Sequence, residues 1–165
     1  MRVAIVTVSD SSFTGDRRDT SGDAIRDWCG ARGYVVGKRE HVSDDTSRIA
    51  PLLASLADGG EVDLILTTGG TGLAPRDVTP EATRAVFERE AGGIAEYLRA
   101  STAGDFPRAA LSRGVAGVRN RALIVNLPGS TRGVSDTLAA LERIVDHAVD
   151  VMSGIVKRHD EGPAR

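Results

Sequence analysis

The chain has 165 residues, a length typical of one domain with one core, and its 41% hydrophobic and 27% charged residues are ordinary for a globular protein. A formal net charge of −2 excludes the basic surface that a nucleic-acid backbone or an anionic membrane would require. The single cysteine, Cys29, cannot form an intrachain disulfide and is expected to be a buried structural thiol. We expect a cytoplasmic protein with no signal peptide, because the first apolar run is short and no stretch approaches the ~20 apolar residues of a membrane span.

The first part of the chain alternates predicted strands and helices. The continuous apolar, β-branched run 3–8 predicts a strand that is covered on both faces. A helix capped by Thr20 or Ser21 should follow and end at Gly33, which can adopt the left-handed conformation at a helix C-terminus. Residues 34–42 form a more polar strand candidate, so a position near the edge of the sheet is expected.

The next helix is indicated by apolar residues at core-facing spacing: Ile49, Leu52, Leu53 and Leu56. Pro51 leaves its start open. If the helix begins at Asp45, the proline removes an interior hydrogen bond and kinks the helix. If it begins near Pro51, it has only about two turns.

Two further buried strands are predicted. The run 63–67 forms a strand that leads directly into a glycine-rich loop. Thr79 and Pro80 then mark a helix start, because a hydroxyl caps the helix and proline suits its first position. After one more helix, residues 114–119 and 122–127 are predicted to pair as a hairpin, whose second strand is the last buried strand.

The last helix is expected to begin at Ser135, with an apolar stripe over 138–156, and residues 1–157 are expected to form a single domain before a polar tail at 158–165. Strands that alternate with helices predict an α/β fold: a three-layer α/β/α sandwich with a mainly parallel, doubly wound sheet and a short antiparallel hairpin near the last strand. Such sheets bind ligands outside the carboxyl ends of their strands. The loops after the first, third and last strands should therefore meet at one pocket.

The glycine-rich loop 67–72 reads Thr-Thr-Gly-Gly-Thr-Gly. Small residues and hydroxyls expose backbone N–H groups that can surround an anion. Neither a Walker lysine nor a Gly-x-Gly-x-x-Gly pattern is present, so a nucleotide-binding P-loop and a dinucleotide fold are not indicated. A tight turn is the simpler explanation, but it does not require six such residues in a row. The candidate ligand-binding residues of this loop are Thr68, Gly69, Gly70, Thr71 and Gly72.

Charged residues flank this loop. Arg76 offers a planar fork for a phosphate oxygen, and Asp77 offers a hard oxygen ligand for Mg²⁺. Such a pair is usually a solvated surface pair, but here it stands between the glycine loop and a helix start. Asp44 and Asp45 are good capping residues for the second helix, whereas together with Asp77 they could supply a second carboxylate for the metal.

The ends of two other strands carry polar residues that should border the same pocket, although plain turns would explain them as well. These candidates are Ser9 and Asp10 after the first strand, and Asn126, Pro128, Gly129 and Ser130 after the last one. The histidines have no metal-ligand spacing and no place in a catalytic triad, so no catalytic role is expected for His41, His147 or His159.

The string at 67–83, Thr-Thr-Gly-Gly-Thr-Gly-Leu-Ala-Pro-Arg-Asp-Val-Thr-Pro-Glu-Ala-Thr, resembles the signature of the molybdenum-cofactor biosynthesis proteins of the Mog and MoaB type. It is also similar to the G domains of gephyrin and its plant counterpart. The segments 8–10, 43–45, 110–113 and 126–130 match in the same order, so the resemblance runs from about residue 2 to residue 155. Ser43 stands where many relatives have proline, and 73–75 leaves the Mog and MoaB branches undecided.

The resemblance implies transfer of AMP from ATP to the terminal phosphate of molybdopterin, with release of pyrophosphate. It implies that Asp44 and Asp77 are the functional carboxylates, and we expect one or both to hold Mg²⁺ on the triphosphate. It also implies a homotrimer that passes adenylyl-molybdopterin to a MoeA-like molybdate-insertion enzyme. The alternatives are a non-catalytic molybdopterin-binding carrier or scaffold, and an unrelated phosphoryl or nucleotide enzyme on a doubly wound fold.

Overall fold

The computed structural model describes residues 1–10 and 18–154 of the chain. Its strands are β1 (Arg2–Val8), β2 (Val35–Val42), β3 (Leu64–Thr68), β4 (Arg89–Glu90), β5 (Ala116–Arg119) and β6 (Ala122–Leu127). They form one sheet in the order β2-β1-β3-β6-β5-β4. β2, β1, β3 and β6 are parallel, whereas β5 and β4 continue the sheet antiparallel. The mainly parallel sheet with a β5–β6 hairpin is therefore confirmed.

The helices are α1 (Thr20–Ala31), α2 (Thr46–Asp58), α3 (Thr79–Arg84), α4 (Gly92–Ala103), α5 (Thr131–Leu141) and α6 (Val145–Ser153), with a short 3-10 helix at Pro107–Leu111. Successive residues of a strand point to opposite faces, and β1 is buried on both. Val3 and Ile5 pack with α1, α4, α5 and α6 in one core. Ala4 and Val6 pack with α2 and α3 in the other. The three-layer arrangement is thus confirmed.

Several predicted details are also confirmed. Gly33 follows the C-cap of α1 in the left-handed conformation, with φ of 69°. β2 lies at the edge of the sheet, as its polar sequence indicates. Cys29 is fully buried in the core, and burial raises the pKa of its thiol to about 11, which suits a structural role. Among the described residues, no helix is long and apolar enough to cross a membrane.

The structure corrects one predicted helix cap in the first part of the chain and decides between the two starts left open for the next helix. The cap of α1 is Asp19, not Thr20 or Ser21, because its carboxylate accepts the backbone N–H of Gly22. α2 is capped by Asp45 and continues through Pro51 to Asp58, so the longer of the two alternatives is correct.

Of two later helix starts, the one at Thr79 was predicted correctly except for its cap, and the one at Ser135 was predicted wrongly. The Thr79 hydroxyl does not cap α3; it donates to the carbonyl of Gly69 instead, at 2.9 Å. The last helical region begins at Thr131 rather than at Ser135, with Ser130 as its cap, and it is interrupted between Leu141 and Val145. The predicted continuation of the stripe to residue 156, the domain end at 157 and the tail at 158–165 lie outside the described residues.

Candidate active site

The carboxyl ends of β1, β3 and β6 lie side by side, because these strands are parallel neighbours in the sheet. The loops that follow them border a cavity of about 230 Å³. Several of the predicted residues line it: Ser9, Asp44, Thr68, Gly69, Gly70, Asp77 and Gly129. Three separate segments therefore converge as the chain order predicts.

The glycine loop is shaped by its contacts with the neighbouring strand end and helix. A Cβ atom at Gly69 would lie 2.1 Å from the carbonyl oxygen of Val8, and Gly69 has a φ of 100°. A Cβ atom at Gly70 would lie 2.3 Å from Oγ1 of Thr79 and 3.0 Å from Oδ1 of Asp44, and the φ of Gly70 is 62°. Conformation and space both demand glycine at these two positions.

Asp44 and Asp10 are joined by reciprocal hydrogen bonds. The Asp10 amide donates to Oδ2 of Asp44 at 3.0 Å, and the Asp44 amide donates to Oδ1 of Asp10 at 3.1 Å. Burial raises the pKa of Asp44, and the negative charges of Asp10 and Asp77 add to this, against the Asp10 hydrogen bond and the Arg76 charge. An excess of negative charge therefore remains around the Asp44 carboxylate.

Arg76 and Asp77 are placed differently from each other. The exposed Arg76 side chain forms an ion pair with Asp10 at 2.6 Å and does not line the cavity. Asp77 does line it, and its Oδ2 accepts the Ala74 amide at 2.8 Å. A Cβ atom at Gly72 would lie 2.8 Å from the same oxygen, so the absence of a side chain at Gly72 leaves room for the carboxylate.

The carboxylates fit one kind of metal site better than another. No group of three or more His, Cys, Asp or Glu side chains is placed to hold a metal among residues 1–10 and 18–154. A closed site built entirely from protein ligands is thus not indicated for this part of the chain. Mg²⁺ typically takes one or two carboxylates together with water and substrate phosphates. Asp44 and Asp77, which face the same cavity, provide that number.

Other predicted residues lie around the cavity without lining it: Asp10, Thr71, Gly72, Arg76, Asn126, Pro128 and Ser130. Asn126 is buried and donates to the hydroxyls of Thr67 at 2.9 Å and Thr83 at 3.0 Å, while its Oδ1 accepts the Val115 amide at 3.2 Å. Its amide group is thus engaged by the protein and holds β3, β6 and α3 together.

Pro128 and Ser130 also have contacts within the protein. The Pro128 carbonyl accepts a hydrogen bond from the Thr68 hydroxyl at 2.7 Å, which joins the end of β3 to the loop after β6. Ser130 accepts the Gly133 amide at 3.2 Å as the cap of α5. Pro128 thus acts through its carbonyl and Ser130 through its hydroxyl, and neither residue lines the cavity.

One side of the cavity was not predicted as part of the site. It is formed by Thr7 and by the residues at the start of α1, which are Arg18, Asp19, Thr20 and Ser21. Arg18 forms an ion pair with Asp23 at 3.3 Å, and its side chain is 83% exposed. The Thr20 hydroxyl lies 2.7 Å from that of Thr131, so the starts of α1 and α5 meet here. Helix starts and an arginine both favour anions.

Asp19 anchors this side. Its Oδ2 accepts hydrogen bonds from Thr7 at 2.7 Å and Arg39 at 2.9 Å, and it lies 3.1 Å from Nε2 of His41. Burial raises the pKa of Asp19, but the hydrogen bonds from Thr7, Gly22, Arg39 and Ser21 together lower it to about 2. The preference of aspartate for helix N-caps was the available signal for this residue.

The cavity therefore has two chemically different sides. Backbone amides of the glycine loop and Arg18 suit phosphate groups, whereas Asp44 and Asp77 suit a hard cation. Such an arrangement can bind a polyphosphate together with a divalent ion.

Comparisons with known proteins identify the relatives of this chain. The chain is 35% identical over 158 residues to the molybdopterin adenylyltransferase of Helicobacter pylori (strain J99 / ATCC 700824), covering 93% of this chain and 89% of that protein. It is 38% identical to the molybdenum cofactor synthesis protein cinnamon of Drosophila melanogaster over 95% of this chain, but it spans only 27% of that longer protein.

Among solved structures, the molybdopterin biosynthesis enzyme MoaB from Thermus thermophilus is similar, with a TM-score of 0.87 and 49% sequence identity. The similarity covers 93% of this chain and 96% of that one. The family model described as "Probable molybdopterin binding domain" matches residues 4–147. The chain therefore belongs to the molybdenum-cofactor biosynthesis family that this domain model defines.

Proposed function

We propose that the protein is a molybdopterin adenylyltransferase, which transfers AMP from ATP to the terminal phosphate of molybdopterin and releases pyrophosphate. The observation that carries the proposal is the convergence of Asp44 and Asp77, from two separate loops, on the cavity lined by Gly69 and Gly70. Similarity to an adenylyltransferase over most of the length of both chains supports it.

In the proposed reaction, an oxygen of the molybdopterin phosphate attacks the α-phosphorus of ATP. The new P–O bond forms as the bond from the α-phosphorus to the bridging oxygen breaks, and pyrophosphate leaves with that electron pair. The attacking phosphate is already ionised at neutral pH, so no general base is required. The protein therefore has to align the reactants and stabilise charge.

We assign those tasks to residues that line the cavity or lie beside it. Backbone amides of residues 69–72 would hold phosphate oxygens, and Arg76 would exchange its Asp10 partner for the charge that develops on pyrophosphate. Asp44 and Asp77 would hold Mg²⁺, which when bound neutralises the triphosphate and polarises its P–O bonds. The raised pKa of Asp44, caused first by burial and then by the charges of Asp10 and Asp77, supports this assignment, because a bound cation would stabilise the charged carboxylate.

The main alternative is a carrier or scaffold that binds molybdopterin without turnover. Binding alone needs hydrogen-bond donors, which the glycine loop already offers. Two carboxylates that face a phosphate-binding cavity would weaken the binding of an anion unless a cation accompanied it. Their presence favours the enzyme.

The experiment is incubation of the protein with molybdopterin, ATP and Mg²⁺, followed by detection of adenylyl-molybdopterin and pyrophosphate. Asp77→Asn should lower the rate by at least about a hundredfold, since it removes charge stabilisation at the reacting phosphates. The control is Asp58→Asn, which removes an exposed carboxylate that pairs only with Arg119 among the contacts of the described residues. Binding of molybdopterin without turnover would favour the carrier, and failure of both would overturn the proposal.

We also propose that the protein acts in the cytoplasm as a homotrimer and passes its product to a MoeA-like molybdate-insertion enzyme. The support is the family resemblance. The partner enzyme is supported also by chemistry, because adenylyl-molybdopterin is an activated intermediate that a further enzyme must consume. Light scattering coupled to size-exclusion chromatography should give three times the 17.3 kDa chain mass. A monomer at micromolar concentration would contradict the trimer.

A further inference from the structure

Arg113 joins the two ends of the turn that carries Asp77. Its backbone N–H donates to the carbonyl of Thr71 at 2.8 Å. Its side chain donates through Nε to the carbonyl of Gly72 at 2.7 Å and through Nη2 to the carbonyl of Asp77. The remaining nitrogen, Nη1, forms an ion pair with Glu81 on α3. One planar guanidinium thus bridges the beginning and the end of the segment 72–77.

The Asp77 carboxylate is held inside this turn. The Asp77 amide donates to the Ala74 carbonyl at 2.9 Å, and the Ala74 amide donates back to Oδ2 of Asp77 at 2.8 Å. Neither bond fixes the turn relative to the rest of the protein, because both lie within it. Arg76 pairs from within the turn with the exposed Asp10, whereas Arg113 comes from a distant part of the chain and holds the main chain at both ends of the turn. Arg113 is therefore placed to fix the position of the turn and of its carboxylate.

Arg113 is itself secured from the opposite side. Nη1 of Arg99, on α4, donates to the carbonyl of Gly114 at 2.7 Å and to that of Ser112 at 3.5 Å. These carbonyls belong to the two residues that flank Arg113. Two arginines in succession therefore connect helix α4 to the turn that carries Asp77.

From this geometry we propose that Arg113 is a positioning residue that sets the location of the Asp77 carboxylate in the cavity. Arg113 does not line the cavity itself and is given no direct contact with substrate. Its effect on catalysis rests on the proposed function, whereas its effect on the turn does not.

Arg119 offers a matched control. It donates to the Asp58 carboxylate at 2.7 and 2.9 Å and to the carbonyl of Val86 at 3.2 Å. Its side chain is 28% exposed, against 34% for Arg113, so both arginines combine an ion pair with a carbonyl contact in a similar environment. Of these two arginines, only Arg113 donates hydrogen bonds to the turn at 72–77.

The first test is amide hydrogen exchange at Ala74, Asp77 and Thr79, whose N–H groups are hydrogen-bonded in or beside the turn. Arg113→Gln should speed their exchange by about tenfold, while Arg119→Gln leaves them unchanged. Arg113→Lys should behave like the glutamine variant, since an ammonium group cannot bridge both carbonyls of the turn. Unchanged exchange in Arg113→Gln, or full protection in Arg113→Lys, would overturn the proposal.

The second test is the Mg²⁺ concentration that gives half-maximal AMP transfer. A displaced Asp77 should raise it by about tenfold in Arg113→Lys, while Arg119→Lys keeps the wild-type value. If hydrogen exchange changed but the Mg²⁺ requirement did not, the position of the turn would not affect the metal, and the proposal would be overturned. If the wild-type chain itself transferred no AMP, the proposed function would fail, but the exchange result would still decide whether Arg113 positions the turn.

Discussion

Asp19 illustrates how the cavity tolerates a buried charge. A carboxylate that leaves water needs donors to replace its hydration, and Asp19 receives them from β1, β2 and its own helix start. The same contacts fix the start of α1 beside the cavity. A residue that looks structural from its hydrogen bonds therefore also determines the shape of the candidate site.

The depressed pKa of Asp19 predicts a contribution to acid stability. Its pKa is lowered from 3.8 to about 2 in the folded protein, so its stabilisation is fully present above the unfolded pKa and is lost as the pH falls from about 4 to 2. The contribution should be about 2 kcal/mol. Urea denaturation between pH 7 and pH 2 would measure it, with Asp19→Asn as the variant that lacks this titration. Parallel stability curves for wild type and variant would contradict the prediction.

The glycine loop predicts opposite effects for two glycine-to-alanine substitutions. Gly70→Ala forces a side chain into a backbone conformation with φ of 62° and against Thr79, so the protein should lose about 1–3 kcal/mol of stability. A Cβ atom at Gly30, within α1, would meet no described atom within 4 Å beyond the adjoining backbone of its own helix, so Gly30→Ala should add about 0.5–1 kcal/mol. Thermal unfolding would compare them. A neutral Gly70→Ala would show that the loop can rearrange freely.

At the scale of elements, the helix α2 contains a proline that should weaken it. Pro51 lies on the exposed side of this helix and has no N–H to donate to the preceding turn. Pro51→Ala should therefore raise the stability by about 1–3 kcal/mol, with no cavity created in the core. The midpoint of urea unfolding would measure the gain. A loss of stability would mean that the ring makes packing contacts worth more than the missing hydrogen bond.

The elements also show where sequence reasoning succeeds. Continuous apolar runs such as 3–8 and 63–67 predicted buried strands correctly, because two-sided burial leaves few polar positions. Helix starts were harder, since several residues near each start can act as caps. Thr79 shows why: its hydroxyl is taken by Gly69, a partner ten residues away that no local pattern reveals.

At the scale of the molecule, the meeting of three loops was predictable from the order of the elements. Parallel strands place their carboxyl ends on one edge, which brought Ser9, Gly69 and Gly129 to one cavity. The contribution of α1 and the role of Arg113 were not predictable. Both depend on contacts between residues far apart in the sequence, which hydrophobic periodicity does not encode.

Because one side of the cavity suits phosphate groups and the other suits a cation, the binding of ATP should depend on the presence of Mg²⁺. With Mg²⁺ present, ATP should raise the melting temperature of the protein, because a ligand that binds the folded state stabilises it. With EDTA, the carboxylates Asp44 and Asp77 remain uncompensated, so the shift should largely disappear. Asp44→Asn should retain part of the shift in EDTA. Equal shifts with and without Mg²⁺ would contradict a metal role for these residues.

The close approach of Gly129 to Gly69 has a consequence for divergence within the family. A Cβ atom at Gly129 would lie 3.2 Å from the Cα atom of Gly69, so here two loops touch through their main chains. A surface made of peptide groups offers a ligand the same hydrogen-bonding groups whichever side chains surround it. Mutation can therefore change the selectivity of the cavity through lining side chains such as those of Ser9 and Arg18, but not through the main-chain contact between Gly69 and Gly129.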